Sequence, residues 1–351
     1  MNSKNMEIFQ PQKQNLFSFI RMVCCYIIVY EHTVLLSKCQ LPILNIRETA
    51  VTIFFVYSGF WILRSYLLTE NGKQFLIKRI KKIVPMYYSV IFITFIVGGI
   101  LFRGKREYYF SISTVKYFFS NFGFLNFLYP SLPGNVLNGN PINGSLWTLK
   151  IEIGFYILMC IIGKKLKKGK TDANKFVVCM YVLTVAFNIC LNIFTKKYYL
   201  PQAINDQLPK YLPYFLAGML YIINWDIWRK LKNKQKIIAI SIDILLLTII
   251  SALKCDTYSI IKPLIIGNCC IFLADISVKD NFPYFLIKFD NSYIVYLIHY
   301  PIIVYLMEKT HIVGIPLFLT VTGLSVVLGW SIQYGVEKFF YKRSIFTFMR
   351  G

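Results

Sequence analysis

Ten mostly apolar stretches, separated by short basic loops, leave this chain few ways to fold. They lie near residues 16–36, 48–68, 83–101, 144–163, 176–194, 211–225, 237–253, 258–276, 291–308 and 312–333. About 20 apolar residues is what a helix needs to cross the hydrocarbon of a bilayer, where each backbone N–H and C=O must be satisfied within its own segment. The composition agrees: 56% of the 351 residues are hydrophobic, 16% are charged, and mean hydropathy is +0.53. Soluble domains seldom combine these values. The apolar stretches fill nearly the whole chain and leave no block for a second, soluble core. The expected fold is therefore all-α, a polytopic bundle of about ten transmembrane helices over residues 16–333 with tails at 1–15 and 334–351. The run from Leu16 to Leu36 is too long for a signal peptide and lacks a small-residue cleavage site, so it reads as a retained first span.

Charge sets the direction of the spans and excludes one class of partner. The formal charge of +23 comes from 39 Lys and Arg against 16 Asp and Glu. Those cations fall in short clusters between apolar segments, not in the single stripe or tail that nucleic-acid binding requires, so no nucleic acid is expected as a partner. Alternate loops carry 24 and 12 of them, with Arg21, Arg64 and Lys150 inside spans. The richer side is shared by both ends of the chain, which places both termini in the cytoplasm. The KKLKKGK run at 164–170 reads as a topology anchor. Nine cysteines contain no C-x-x-C pair and lie mostly in apolar stretches, so no metal site is indicated. Cys39 and Cys255 fall in loops and read as ordinary thiols more readily than as a disulfide.

The longest extracytoplasmic loop, 102–143, holds an aromatic run from Val115 to Tyr129. An interfacial amphipathic helix is the general reading of such a run, and a re-entrant segment is the alternative.

Chemistry resides in the polar content of the spans, because a charge in hydrocarbon costs at least a few kcal/mol and is kept for a reason. The first span holds Arg21, Glu31 and His32. Eleven residues are close to three helical turns, so Arg21 and His32 share a face about 16 Å apart along the axis. Glu31 is turned about 100° away and is poorly placed to orient the imidazole. The second span carries Phe54 to Phe60 with Ser58 and Gly59, small residues that permit close helix approach. Residues 75–87 place Lys78, Arg79, Lys81 and Lys82 before Pro85. The fourth span opens with Ser145 to Tyr156 and contains Lys150 and Glu152, and the ninth holds His299 between Tyr296 and Tyr300. Those tyrosines are ready hydrogen-bond partners, so His299 reads first as a packing residue. His311 reads as a loop residue.

Together these stretches resemble the acyltransferase family 3 membrane proteins. In that family the first span has Arg and His separated by ten residues, as Arg21 and His32 are. Residues 54–60 resemble its F-F-V-x-S-G-F, 75–87 its F-x-x-x-R-x-x-R-I-x-P-x-Y, 145–156 its S-L-W-[ST]-L-x-x-E-x-x-F-Y, and 293–301 its Y-x-x-Y-L-x-H-x-P. The resemblance covers most of the chain. Lys82 departs from the more usual Arg, and Lys150 stands where a small residue is common.

The resemblance implies a bacterial inner-membrane enzyme that takes an acyl group, usually acetyl, from cytoplasmic acetyl-CoA. It passes that group to a hydroxyl of an extracytoplasmic polysaccharide or lipid-linked glycan. His32 would then be the general base or the residue that briefly carries the acyl group. Glu152 would orient or charge-balance it, or else pair with Lys150 or a neighbouring Arg. Arg21, Arg79 and Lys82 would form a basic mouth for the phosphates of coenzyme A, and Ser58 would touch the donor or simply pack. Many family members add a C-terminal esterase-like domain, which is not expected here because only residues 334–351 follow the last span. The runner-up is a glycolipid or acyl-group transporter or flippase, since intramembrane charges also line transport paths. A polysaccharide polymerase or ligase is a third possibility, against which the motif series argues.

Overall fold

The computed structural model describes residues 15–43, 46–101, 106–126, 128–129, 131–133, 141–167, 169–201, 204–252, 258–276 and 290–341. Cys255 lies outside them. The chain is an all-α polytopic membrane protein, with no strand among the described residues. Among the described residues, seven helices are long and apolar enough to cross a membrane. They are α1 (Phe17–Ser37), α2 (Arg47–Leu67), α3 (Gly72–Leu101), α6 (Trp147–Leu166, continuing a 3-10 turn at Gly144–Leu146), α7 (Lys170–Lys197), α10 (Asn233–Ala252) and α13 (Gly314–Tyr341). Three shorter apolar helices, α8 (Leu208–Ile223), α11 (Tyr258–Ala274) and α12 (Ser292–Lys309), occupy the remaining expected stretches. Between them lie the small helices α4 (Arg106–Tyr109), α5 (Ile112–Phe122) and α9 (Trp225–Trp228). The third span begins well before its apolar part. Lysine, arginine and glutamine are good helix formers, so the basic segment 73–82 continues α3 where a loop was expected.

The helices divide into two compact units. The first holds α2 from Thr49, the start of α3 as far as Lys78, and α6 from Ile151 through α11. Helices α2 and α8 cross at glycines: a Cβ on Gly59 would strike the carbonyl of Phe215, and one on Gly218 would strike that of Val56. Small residues let backbones meet where lipid supplies no hydrophobic drive. Pro213 inside α8 removes the N–H that would serve the Pro209 carbonyl, and the Asn188 side chain donates to that carbonyl at 2.8 Å instead. Lys236 and Asp275 form a buried pair at 2.6 Å that joins α10 to the end of α11.

The second unit holds α1 from Arg21, α3 from Arg79, α4, α5, the 3-10 turn, α12 and α13. Tyr293 reaches the carbonyl of Ile83, Tyr305 that of Thr94 and Lys309 that of Leu101. These rungs rise together, so α3 and α12 run parallel. Arg21 facing Asp290 and His32 facing His299 show the same for α1. Helix α13 runs the other way, with Gly329 against Ile294 and Phe318 against Tyr30. That alternation is what first, third, ninth and tenth spans require.

The aromatic run of the long loop does not lie flat. Tyr109 stacks on Phe95, Phe118 meets Phe92 and Phe95, and the Tyr87 and Tyr88 hydroxyls donate to the carbonyls of Asn121 and Phe122. Helix α5 therefore runs back along α3, from the level of Phe95 to that of Tyr87, about 20 Å short of Leu101. The run is therefore a helix packed on α3, not a separate element lying apart from the spans. Tyrosine hydroxyls of α3 serve two of the last carbonyls of α5, those of Asn121 and Phe122.

Candidate active site

Helices α1 and α12 bring two histidines face to face. Nδ1 of His32 lies 2.9 Å from Nε2 of His299, with the rings 6° from parallel and their centroids 5.2 Å apart. His299 is fully buried, and its Nδ1 is 3.2 Å from the carbonyl of Val295 one turn earlier. His32 is partly accessible, and its Nε2 makes no hydrogen bond to any described residue. The Tyr300 ring closes on His32 edge-on at 5.2 Å.

The backbone around His299 is held by a device that starts from a proline. Pro301 has no N–H, so the Leu297 carbonyl loses its helical donor. The Asn143 amide donates to it at 2.7 Å. Ser145 donates to Asn143 Oδ1 at 2.6 Å and lies 3.1 Å from the Tyr296 carbonyl, and the Tyr296 hydroxyl returns a bond to the Ser145 carbonyl at 3.0 Å. The segment 143–145 is thus clamped to α12. Between its two clamping residues Gly144 lies under Tyr300, where a Cβ would sit 2.8 Å from the ring.

Glu31 does not face His32. Its Oε1 accepts the backbone N–H groups of Ile46 and Arg47 at 2.8 and 3.1 Å, capping the start of α2 from a neighbouring helix. This anchors Arg47 at the start of α2.

At the other end of the same helix pair, Arg21 forms an ion pair with Asp290 at 2.9 Å. The other oxygen of that carboxylate accepts the Ser292 N–H at 3.1 Å and the Ser292 hydroxyl, at the start of α12. Arg79, half-buried, and Lys82, exposed, precede Ile83 on α3, which is tied to Tyr293. Arg21, Arg79 and Lys82 therefore share one end of the second unit. His32 lies eleven residues further along α1. Glu152 and Ser58 belong to the first unit. The Glu152 carboxylate accepts a hydrogen bond from Tyr156 one turn later, and Ser58 is half-buried next to the glycine crossing of α2 and α8.

Sequence reasoning named His32 and the cations as candidates and did not name Asn143, Asp290 or the contact between His299 and His32. A signal for the first two was present. A proline two residues after an intramembrane histidine frees a carbonyl that a nearby side chain must serve, and an aspartate two residues before Ser292 suits a helix cap. Neither signal names its partner.

The family model described as Acyltransferase domain matches residues 17–334. The chain is similar to the O-acetyl transferase of Shigella phage Sf6, 26% identical over 349 residues, covering 95% of this chain and 97% of the relative. It is also similar to Nodulation protein 10 of Rhizobium leguminosarum bv. viciae, 26% identical over 149 residues and 40% of each chain. No solved structure matches.

Proposed function

The chain belongs to the acyltransferase family 3 of membrane proteins, and on that premise we propose that it moves an acetyl group from cytoplasmic acetyl-CoA to a hydroxyl of an extracytoplasmic polysaccharide or lipid-linked glycan. The observation that carries this reading is the half-buried His32 imidazole, whose Nδ1 is held by His299 and whose Nε2 makes no hydrogen bond to any described residue. An unprotonated nitrogen there takes the proton of the acceptor hydroxyl as its oxygen attacks the thioester carbonyl. The ester C–O bond forms, the C–S bond breaks, and the imidazolium returns its proton to the departing thiolate. Coenzyme A leaves as the free thiol. Tyr300 stands edge-on beside His32 and closes the site next to the reacting nitrogen.

Arg21, Arg79 and Lys82 share one end of the second unit, as a mouth for phosphates requires. With both termini in the cytoplasm of a bacterial inner membrane, that end faces the donor. Acetyl is favoured as the group because the relative matched over nearly its full length is an O-acetyl transferase.

The test is free-thiol release from acetyl-CoA by the full chain in liposomes, with and without surface glycans, for wild type and His32→Ala. Acceptor-dependent release that disappears in the variant is the expected result. Equal background release from both proteins across a broad glycan panel, with glycolipid still carried across the bilayer, would overturn it in favour of the flippase.

A further inference from the structure

We propose that His299 is a positioning residue that fixes the tautomer of His32, so that Nε2 of His32 is always the proton-accepting atom. The inference rests on the acetyltransferase reading and deepens it.

The reasoning follows the direction of each hydrogen bond. The Val295 carbonyl can only accept, so the Nδ1 of His299 that faces it at 3.2 Å carries the proton. In the neutral ring the other nitrogen, Nε2, is then a lone pair. That lone pair faces Nδ1 of His32 at 2.9 Å, so Nδ1 of His32 must donate. Nε2 of His32 is left as a lone pair with no hydrogen bond to any described residue. The chain carbonyl, His299, His32 thus works in the sense of a carboxylate and histidine in a hydrolase triad, with an imidazole in the orienting place. It lacks the full negative charge of a carboxylate, so its contribution is orientation and proton direction.

The surroundings hold this arrangement in place. His299 is fully buried, which removes water as a competing acceptor for His32 Nδ1. The α12 backbone that sets its ring is pinned at Leu297 and Tyr296 by Asn143 and Ser145, where Pro301 would otherwise leave it loose. The rings are nearly parallel and the Tyr300 edge blocks rotation of His32. Glu31, the one acidic group adjacent in sequence, is spent on the N-terminus of α2 and cannot serve as the orienting partner.

Two arms test this. Nitrogen-15 spectra of the full chain in detergent read the tautomers directly, and assignment is simple because the chain has three histidines. Both His32 and His299 are expected as Nδ1–H, and His32 is expected to become mixed in His299→Leu. A wild-type His32 protonated on Nε2 would overturn the proposal, whatever reaction the protein catalyses. In the second arm, His299→Leu removes the acceptor and His299→Gln restores one at the same reach. Turnover in His299→Leu should fall on the order of 100-fold or more with little change in the KM for acetyl-CoA, and His299→Gln should recover most of it. Equal loss in both variants, with unchanged thermal midpoints, would mark His299 as something other than an orienting acceptor. Wild-type turnover in His299→Leu would end the idea. A protein with no transferase activity would instead defeat the functional reading while leaving the spectra to decide the tautomer.

Discussion

Arg21 and Asp290 are joined by a 2.9 Å ion pair at one end of the helix pair whose other end carries His32 against His299. The same carboxylate caps α12 through Ser292. One aspartate therefore fixes both the guanidinium proposed to meet phosphate and the start of the helix that carries His299. Since the pair is partly exposed, the ion pair itself adds little stability, and its value lies in aiming Arg21.

Removing Arg21 should separate donor binding from chemistry. Arg21→Ala is expected to raise the KM for acetyl-CoA about 10- to 100-fold, the loss of a charge-assisted contact worth about 1.5–3 kcal/mol, with a smaller change in turnover. Asp290→Asn keeps the Ser292 contacts in part but frees Arg21, and should shift KM in the same direction by less. Titrating acetyl-CoA against thiol release checks both, and unchanged KM in both variants would remove Arg21 from the donor site.

The two proline-freed carbonyls offer a matched pair. Asn143→Ala and Asn188→Ala each strand a carbonyl inside a helix bundle and should each lower stability by about 1–3 kcal/mol. Only Asn143 bonds to the helix that carries His299, so only its variant should also lose turnover. Thermal midpoints and kcat measured side by side would show this, and equal activity in the two would refute it.

Gly144 makes a narrower prediction. A methyl group there must push the Tyr300 ring, which lies 2.8 Å from the added carbon. Gly144→Ala should therefore reduce turnover by disturbing the packing on His32, while costing about 1–3 kcal/mol of stability. Shortening the ring in Gly144→Ala/Tyr300→Leu should restore the lost stability without restoring activity.

The buried pair of the first unit is a stability element. Lys236→Met leaves the Asp275 carboxylate buried without its cation and should cost about 3–5 kcal/mol, whereas Lys236→Met/Asp275→Leu should recover much of it. Thermal denaturation in detergent measures both. A double variant as unstable as the single one would show that the pair does more than satisfy itself.

The amino-acid sequence by itself determined that this chain spans a membrane as helices, because runs of apolar residues admit no other backbone there. It also carried the family motifs and the identity of His32, since a histidine and an arginine three turns apart in one span stand out against hydrocarbon. What it left open was every relation across helices. Glu31, next to His32 in sequence, turns to the start of α2, while His299, 267 residues away, supplies the ring's partner. The aromatic run of the long loop left its partner open, and its packing along α3 depends on Tyr87 and Tyr88 meeting the carbonyls of Asn121 and Phe122. Periodicity in one segment shows which face is apolar but not what that face meets. Hydrogen bonds such as Asn143 to Leu297 arise only when packing brings a freed carbonyl within reach of a donor, so tertiary structure alone decided how the site is held.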